Sequence, residues 1–286
     1  MDTIEQTSQK RIHLSDLERL KLLRYMDDDF MTVCLSDYFE GVELILRIIL
    51  GKTDIKVKSV QTQKPMKNLQ GRSAILDVHA VDSTNKEFDL EIQRLDAGAG
   101  IKRARHNSSL LDAHILSPGD STENIPDSYV IFITENDVMK GNQPIYPVER
   151  YITIGDNKVL FGDGSHILYV NGKYKGNDEI GKLMHDFLCT NPDDMNYEVL
   201  AKKARYFKQD KEGVATMCKI MEDMRNEAAR EAAQEAAQKA ELKSARETAE
   251  RLIKKGKMTL EEIAECIPLL SLDELREIEM NIMQLA

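Results

Sequence analysis

Two apolar-alternating runs meet between Arg72 and Arg94. In the first, Leu76, Val78 and Ala80 share one face and Ile75, Asp77 and His79 the other. In the second, Phe88, Leu90 and Ile92 lie opposite Asp89, Glu91 and Gln93. Period two predicts strands, and Asp82, Ser83 and Asn85 between them predict a hairpin turn centred on Thr84. That register makes Asp77 and Glu91 cross-strand neighbours, and a slip of one residue would turn one acid to the other face. Residues 55–61 alternate as a preceding strand, and Ser128–Thr134 is a continuous apolar run that fits a buried strand.

The remaining pattern is mostly helical. A capping box at Ser15 starts a short helix through about residue 26, and 35–50 is apolar on nearly all sides, as in a helix buried against a sheet. Residues 101–116 place Ala104, Ser108, Leu111 and Ile115 on one inner face. Residues 142–175 predict an added β element, with Asn171-Gly172 as a hairpin signal. Helices follow at 178–189 and 195–207. From 214 to 255 an Ala, Glu, Lys, Arg and Gln run predicts a long exposed helix capped at Gly256; a spacer and a coiled coil both fit it. Capping boxes at Thr259 and Ser271 start two last helices, seamed by Ile263, Ile267, Leu269, Leu270, Leu275, Ile278 and Ile282 or Met283. The expected organisation is an α/β domain over 1–212, a long helix over 213–256 and a helical hairpin over 257–286.

Composition narrows the class. The N-terminus is polar and no run is apolar for long enough to span a membrane, so a cytoplasmic protein without membrane contact is expected. Four scattered cysteines give neither a zinc pattern nor a disulfide framework. A formal charge of -10 argues against a protein that simply coats nucleic acid. Between Gly51 and Arg72, however, six basic residues, Lys64, Lys67 and Arg72 among them, face one acid, and Arg94, Arg103 and Arg105 follow. A phosphate track and a solvated strand face both fit this cluster. The last thirty residues carry seven acids and two bases, which favours protein contact or homo-oligomer formation through these helices over DNA reading.

The chemistry lies in the hairpin. Opposed side chains of an antiparallel pair sit roughly 5 Å apart at Cβ, where like charges repel unless a cation lies between them. Oxygen-only ligands suit Mg²⁺ or Mn²⁺ better than zinc. A closed ion pair between either acid and an arginine would instead leave only a scaffold.

Asp77, thirteen residues, then Glu91-Ile92-Gln93 resembles the core of the PD-(D/E)XK nuclease superfamily. More narrowly, the pattern resembles the Rpn-like recombination-promoting nucleases, or PD-(D/E)XK family transposases, which carry Glu-x-Gln in place of Glu-x-Lys. Asp29-Phe30 ahead of the helix around Glu43, Lys102-Arg103-Ala104-Arg105, and the segments 161–166 and 183–187 extend the resemblance over roughly residues 25–225. Where relatives commonly have Arg-x-x-x-Tyr-Tyr, this chain has His106 and Asn107. The resemblance implies a restriction-endonuclease-like α-β-β-β-α-β core. It also implies DNA as substrate, with Mg²⁺ or Mn²⁺ held by Asp77, Glu91 and the Ile92 backbone carbonyl, and Gln93 orienting water or phosphate. An acid on the first helix, Glu43, would reach the same site; an internal ion pair with Arg47 is the other reading of Glu43. Hydrolysis of DNA in recombination or mobile-element activity is the implied function. An inactive nucleic-acid-binding descendant, an interaction scaffold and an α/β domain whose acids share this spacing by chance are the competing readings.

Overall fold

The chain turns at Asp82, whose Oδ1 accepts the Thr84 N–H and hydroxyl, both at 2.8 Å, and the Lys86 N–H at 2.9 Å. Asn85 completes the turn in the left-handed region at φ 67°. The turn joins β2 (Ala74–Asp82) to β3 (Glu87–Gln93), with Val78 opposite Leu90 and Ala80 opposite Phe88. This is the register that the alternation and the turn residues predict. The computed structural model describes residues 16–68, 71–117 and 119–284, and the chain divides into two units, Met1–Cys218 and Lys219–Ala286.

The first unit is a mixed α/β fold. A helical segment at 16–22 (α1), α2 (Asp28–Leu35) and α3 (Phe39–Leu50) lead into β1 (Val57–Met66), β2 and β3. Then come α4 (Ile101–Ile115), β4 (Ser128–Thr134) and β5 (Ile145–Val148). A small ribbon of β6 (Tyr151–Ile154) and β7 (Asn157–Leu160) precedes β8 (Ser165–Asn171), α5 (Glu179–Leu188) and α6 (Glu198–Gln209). Six strands form one sheet in the order β1-β2-β3-β4-β8-β5. β1, β2 and β3 are antiparallel, β4 runs parallel to both β3 and β8, and β5 closes the edge antiparallel to β8.

Cross-strand register fixes which residues share a face. Asp89 pairs with Val130, Glu91 with Phe132, and Phe132 with Tyr169. Val130, Phe132 and Tyr169 pack with Ala104, Leu110 and Leu111, so α4 covers this face. The two acids of β3 therefore point beneath a helix, and every residue of β4 is buried.

Several expectations need correction. The predicted helix over 35–50 starts only at Phe39, because Asp37 takes the left-handed backbone at φ 51° and separates α2 from α3. The first helix ends by residue 22, and its proposed cap Ser15 lies outside the described residues. Asn171-Gly172 forms no hairpin. Gly172 instead donates its N–H to the Thr134 carbonyl at 2.7 Å, and the chain leaves the sheet toward α5. The tight ribbon turn falls at Gly155, with φ 59°.

The long helix, α7, runs Lys211–Lys255 and ends at Gly256, whose φ of 60° suits a left-handed cap. In the second unit, α8 (Leu260–Cys266) and α9 (Leu272–Gln284) start at the predicted capping boxes of Thr259 and Ser271. Ile263, Ile267, Leu270 and Leu275 bury against Ala249, so the predicted seam closes on the last turns of α7; Leu269 and Met283 stay exposed. Among the described residues no helix is long and apolar enough to cross a membrane.

Candidate active site

β2 and β3 stop pairing main chain to main chain at Val78 and Leu90. One residue on, Asp77 Oδ2 accepts the Ile92 N–H at 2.9 Å, replacing a ladder bond with a carboxylate bond. In a strand the N–H and carbonyl of one residue point to the same neighbour. Gln93 and Glu87 bond toward the β4 side, so the Ile92 carbonyl points toward β2, beside the Asp77 carboxylate. Asp77, Asp89 and Glu91 are all buried.

Three carboxyls so placed resist ionising together. Burial pushes Asp77 up to about 8, helped by the charge of Glu91 and then of Asp28 at the start of α2. Burial drives Asp89 well above the usual carboxylate range, with Glu91 and Asp77 adding repulsion. Glu91 is also raised by burial, although Arg103 opposes the rise. Arg103 Nη2 donates to Glu91 Oε2 at 2.7 Å, and Gln93 Nε2 approaches the same oxygen at 3.4 Å. Asn107 Nδ2 reaches Asp89 Oδ2 at 3.4 Å. Glu91 Oε1 and Asp89 Oδ1 are buried without a hydrogen-bond partner.

The other predicted residues divide. Glu43 is not brought to this site: it accepts the Val57 N–H at 3.0 Å and pairs with Arg47 and Lys56. Val57 stands opposite Asp82, five residues along β2 from Asp77, or about 17 Å at the rise of a strand. The internal ion-pair reading of Glu43 is thus the one observed. Lys64 turns inward, its Nζ 3.1 Å from His79 Nδ1, while His79 Nε2 bonds Glu87; burial lowers the lysine's pKa. Arg94, still 58% exposed, joins Arg24, Asp27 and Glu135 in one ion-pair network, at 3.0 Å from Asp27 and 3.4 Å from Glu135. Lys64 and Arg94 are thus both engaged within the chain. Lys67, Arg72 and Arg105 are exposed. Arg103 alone among the predicted cations touches the acids, and Arg105, two residues on, points to solvent.

Two contributors escaped sequence reasoning. Asp89 shares the face of Glu91 by simple alternation, yet its complete burial depends on α4 lying above it. Asp28 precedes β2 by forty-odd residues, and only the packing of α2 brings its charge to bear on Asp77 and Glu91.

Among the described residues no three acidic, histidine or cysteine side chains form a ready-made metal cage. Mg²⁺ does not demand one, since it keeps several waters and is commonly held by one or two carboxylates. The donor set fits such an ion: Asp77, Glu91 and the Ile92 carbonyl are hard oxygen donors, and one Glu91 oxygen is orphaned. One guanidinium faces three buried carboxyls, so the cluster needs protons or a further cation to balance its charge. The chain matches no protein-family model, no curated protein and no solved structure.

Proposed function

We propose that this chain is a metal-dependent DNA endonuclease built on a restriction-endonuclease-like core, as its resemblance to the Rpn-like nucleases implies. The observation that carries the reading is the placing of Asp77 and Glu91 on adjoining strands and one face, beside a Glu91 oxygen that nothing else satisfies. The succession α3-β1-β2-β3-α4-β4 supports it. Asp77, Glu91 and the Ile92 carbonyl would hold Mg²⁺ or Mn²⁺, which supplies acidified water and positive charge opposite the scissile phosphate.

The chain's own groups do the positioning. Asp77 ties β3 to β2 through the Ile92 N–H, which keeps that carbonyl turned toward the acids. Gln93 is neutral and orients water or phosphate by hydrogen bonds, adding no charge. Its amide is seated by Gly98, where a Cβ would lie 1.9 Å from Gln93 Oε1. Arg103 is 42% exposed beside the acids, so its planar fork would be within reach of a phosphate at the site. Lys67, Arg72 and Arg105 add exposed charge for the phosphate backbone. Recombination or mobile-element activity is the setting that the resemblance implies.

A second reading rests on one contact. Arg103 already pairs with the fully buried Glu91 at Oε2, 2.7 Å away, the arginine contact that would leave only a scaffold or an inactive module that binds nucleic acid without cutting it. Incubation with supercoiled plasmid separates the two. Nicked or linear product is expected with Mg²⁺ or Mn²⁺ and not with EDTA, and none with Asp77→Ala or Glu91→Ala. Plasmid retention without cleavage would select the second reading, and undiminished cleavage by both variants would refute the proposed site.

A further inference from the structure

A cleft of about 650 Å³ opens between α5, the loop that follows β8 and the segment that precedes α6. Gly181, His185 and Leu188 recur at helical spacing along the side of α5 that lines it, with Lys182 beside them. Glycine brings the loop close: a Cβ on Gly181 would lie 1.8 Å from the Gly176 carbonyl oxygen, so helix and loop meet there backbone to backbone.

Short bonds fix the walls. Tyr174 of the loop donates its hydroxyl to Asp178 Oδ2 at 2.8 Å, which anchors its ring to the start of α5. Asp186 is fully buried and accepts the main-chain N–H groups of Asn196 and Tyr197, at 2.7 and 2.8 Å, and the Asn196 amide at 2.8 Å. That carboxylate ties the segment before α6 to α5.

The donors left in the cleft lack acceptors. His185 Nδ1 lies 3.2 Å from Asp186 Oδ1 and 3.1 Å from the Asn196 amide nitrogen. Asp186 Oδ1 already takes two N–H groups from Asn196, so the neutral ring accepts the amide at Nδ1 and carries its own proton on Nε2. Nε2 is then a donor without a partner among the described residues. Lys175 and Lys182 are exposed, line the same cleft and form no ion pair among the described residues. The acids around them are engaged: Asp178 by Tyr174 and by the Gly181 N–H at 2.8 Å, Asp194 by Asn191 Nδ2 at 3.0 Å. On a chain of net charge -10, two unpaired ammonium groups and an imidazole donor in one cleft favour an anion there.

The geometry points to a mononucleotide as the ligand of this cleft, with its phosphate taken by Lys175, Lys182 and His185 Nε2 and its base laid on the half-buried side chains of Tyr174 and Leu188. Two ammonium groups with a neutral donor match a phosphomonoester dianion better than a single carboxylate. A volume of this order suits a small molecule, whose orientation a few placed polar groups fix. None of these residues belongs to the acidic cluster, so the inference is independent of the nuclease reading.

Isothermal titration calorimetry of the full chain in EDTA tests it, with AMP, GMP, CMP and UMP as probes and with adenosine and inorganic phosphate as the separate halves. At least one nucleotide is expected to bind one to one, with a dissociation constant below about 1 mM and more tightly than either half. Lys175→Ala and Lys182→Ala should each weaken that binding about tenfold, as the loss of one charged hydrogen bond does, and Lys182→Arg should retain it. Both lysines are exposed, so the variants should melt as wild type does. No nucleotide bound below about 1 mM would overturn the proposal. So would phosphate alone binding as tightly as any nucleotide, or an affinity unchanged in the double variant Lys175→Ala/Lys182→Ala. An oligonucleotide that binds through these lysines when no mononucleotide does would also overturn it, by assigning them to a nucleic-acid backbone.

Discussion

Asp77 holds its proton up to about 8, because burial and then Glu91 disfavour its charge more than the Ile92 N–H favours it. In the unfolded chain the same carboxyl ionises at about 4. Between those values the folded state binds more protons than the unfolded one, so this residue's contribution to stability falls as pH rises from about 4 to about 8. Asn imitates the protonated form at every pH. In EDTA, Asp77→Asn should therefore melt near wild type at pH 5 and several degrees above it at pH 8.5; an offset independent of pH would contradict this account. At this scale the sequence discloses which acids share a face, since alternation alone aligns Asp77 with Glu91 and Asp89. It does not disclose the Arg103 contact or the depth of burial, because both depend on where α4 crosses the sheet.

At the scale of elements, local chemistry was readable wherever a short-range bond decides the outcome. The Asp82 turn, the Thr259 box and the Gly256 cap each depend on atoms within a few residues of one another. Asn171-Gly172 misled for the opposite reason: Gly172 is taken by Thr134, thirty-eight residues earlier, and a tertiary bond outweighs a turn preference. Glu43 belongs here as well. It fastens α3 to the start of β1 through the Val57 N–H and the Arg47 and Lys56 charges. Glu43→Gln should cost about 1 kcal/mol of stability in denaturant titration and leave cation-dependent cleavage at the wild-type rate. A cleavage defect larger than the stability loss explains would return Glu43 to the site.

At the scale of the whole molecule, the compositional change near residue 213 marks the long helix but not the division between units. That division falls after Cys218, inside α7, because the first turns of the helix belong to the first unit and Met217 is fully buried there. The basic cluster is divided by packing. Charge counting finds it, yet Lys64 sits against His79, Arg94 pairs with Asp27 and Glu135 and Arg103 with Glu91, leaving Lys67, Arg72 and Arg105 as its exposed members. With Arg103 the one predicted cation at the buried acids, the nuclease reading depends on an added metal between Asp77 and Glu91. Anomalous scattering from crystals of the full chain grown with Mn²⁺ measures this most directly. The account expects a peak bounded by Asp77, Glu91 and the Ile92 carbonyl, with Arg103 moved off Glu91. No peak, with Arg103 still 2.7 Å from Glu91 Oε2, would contradict it.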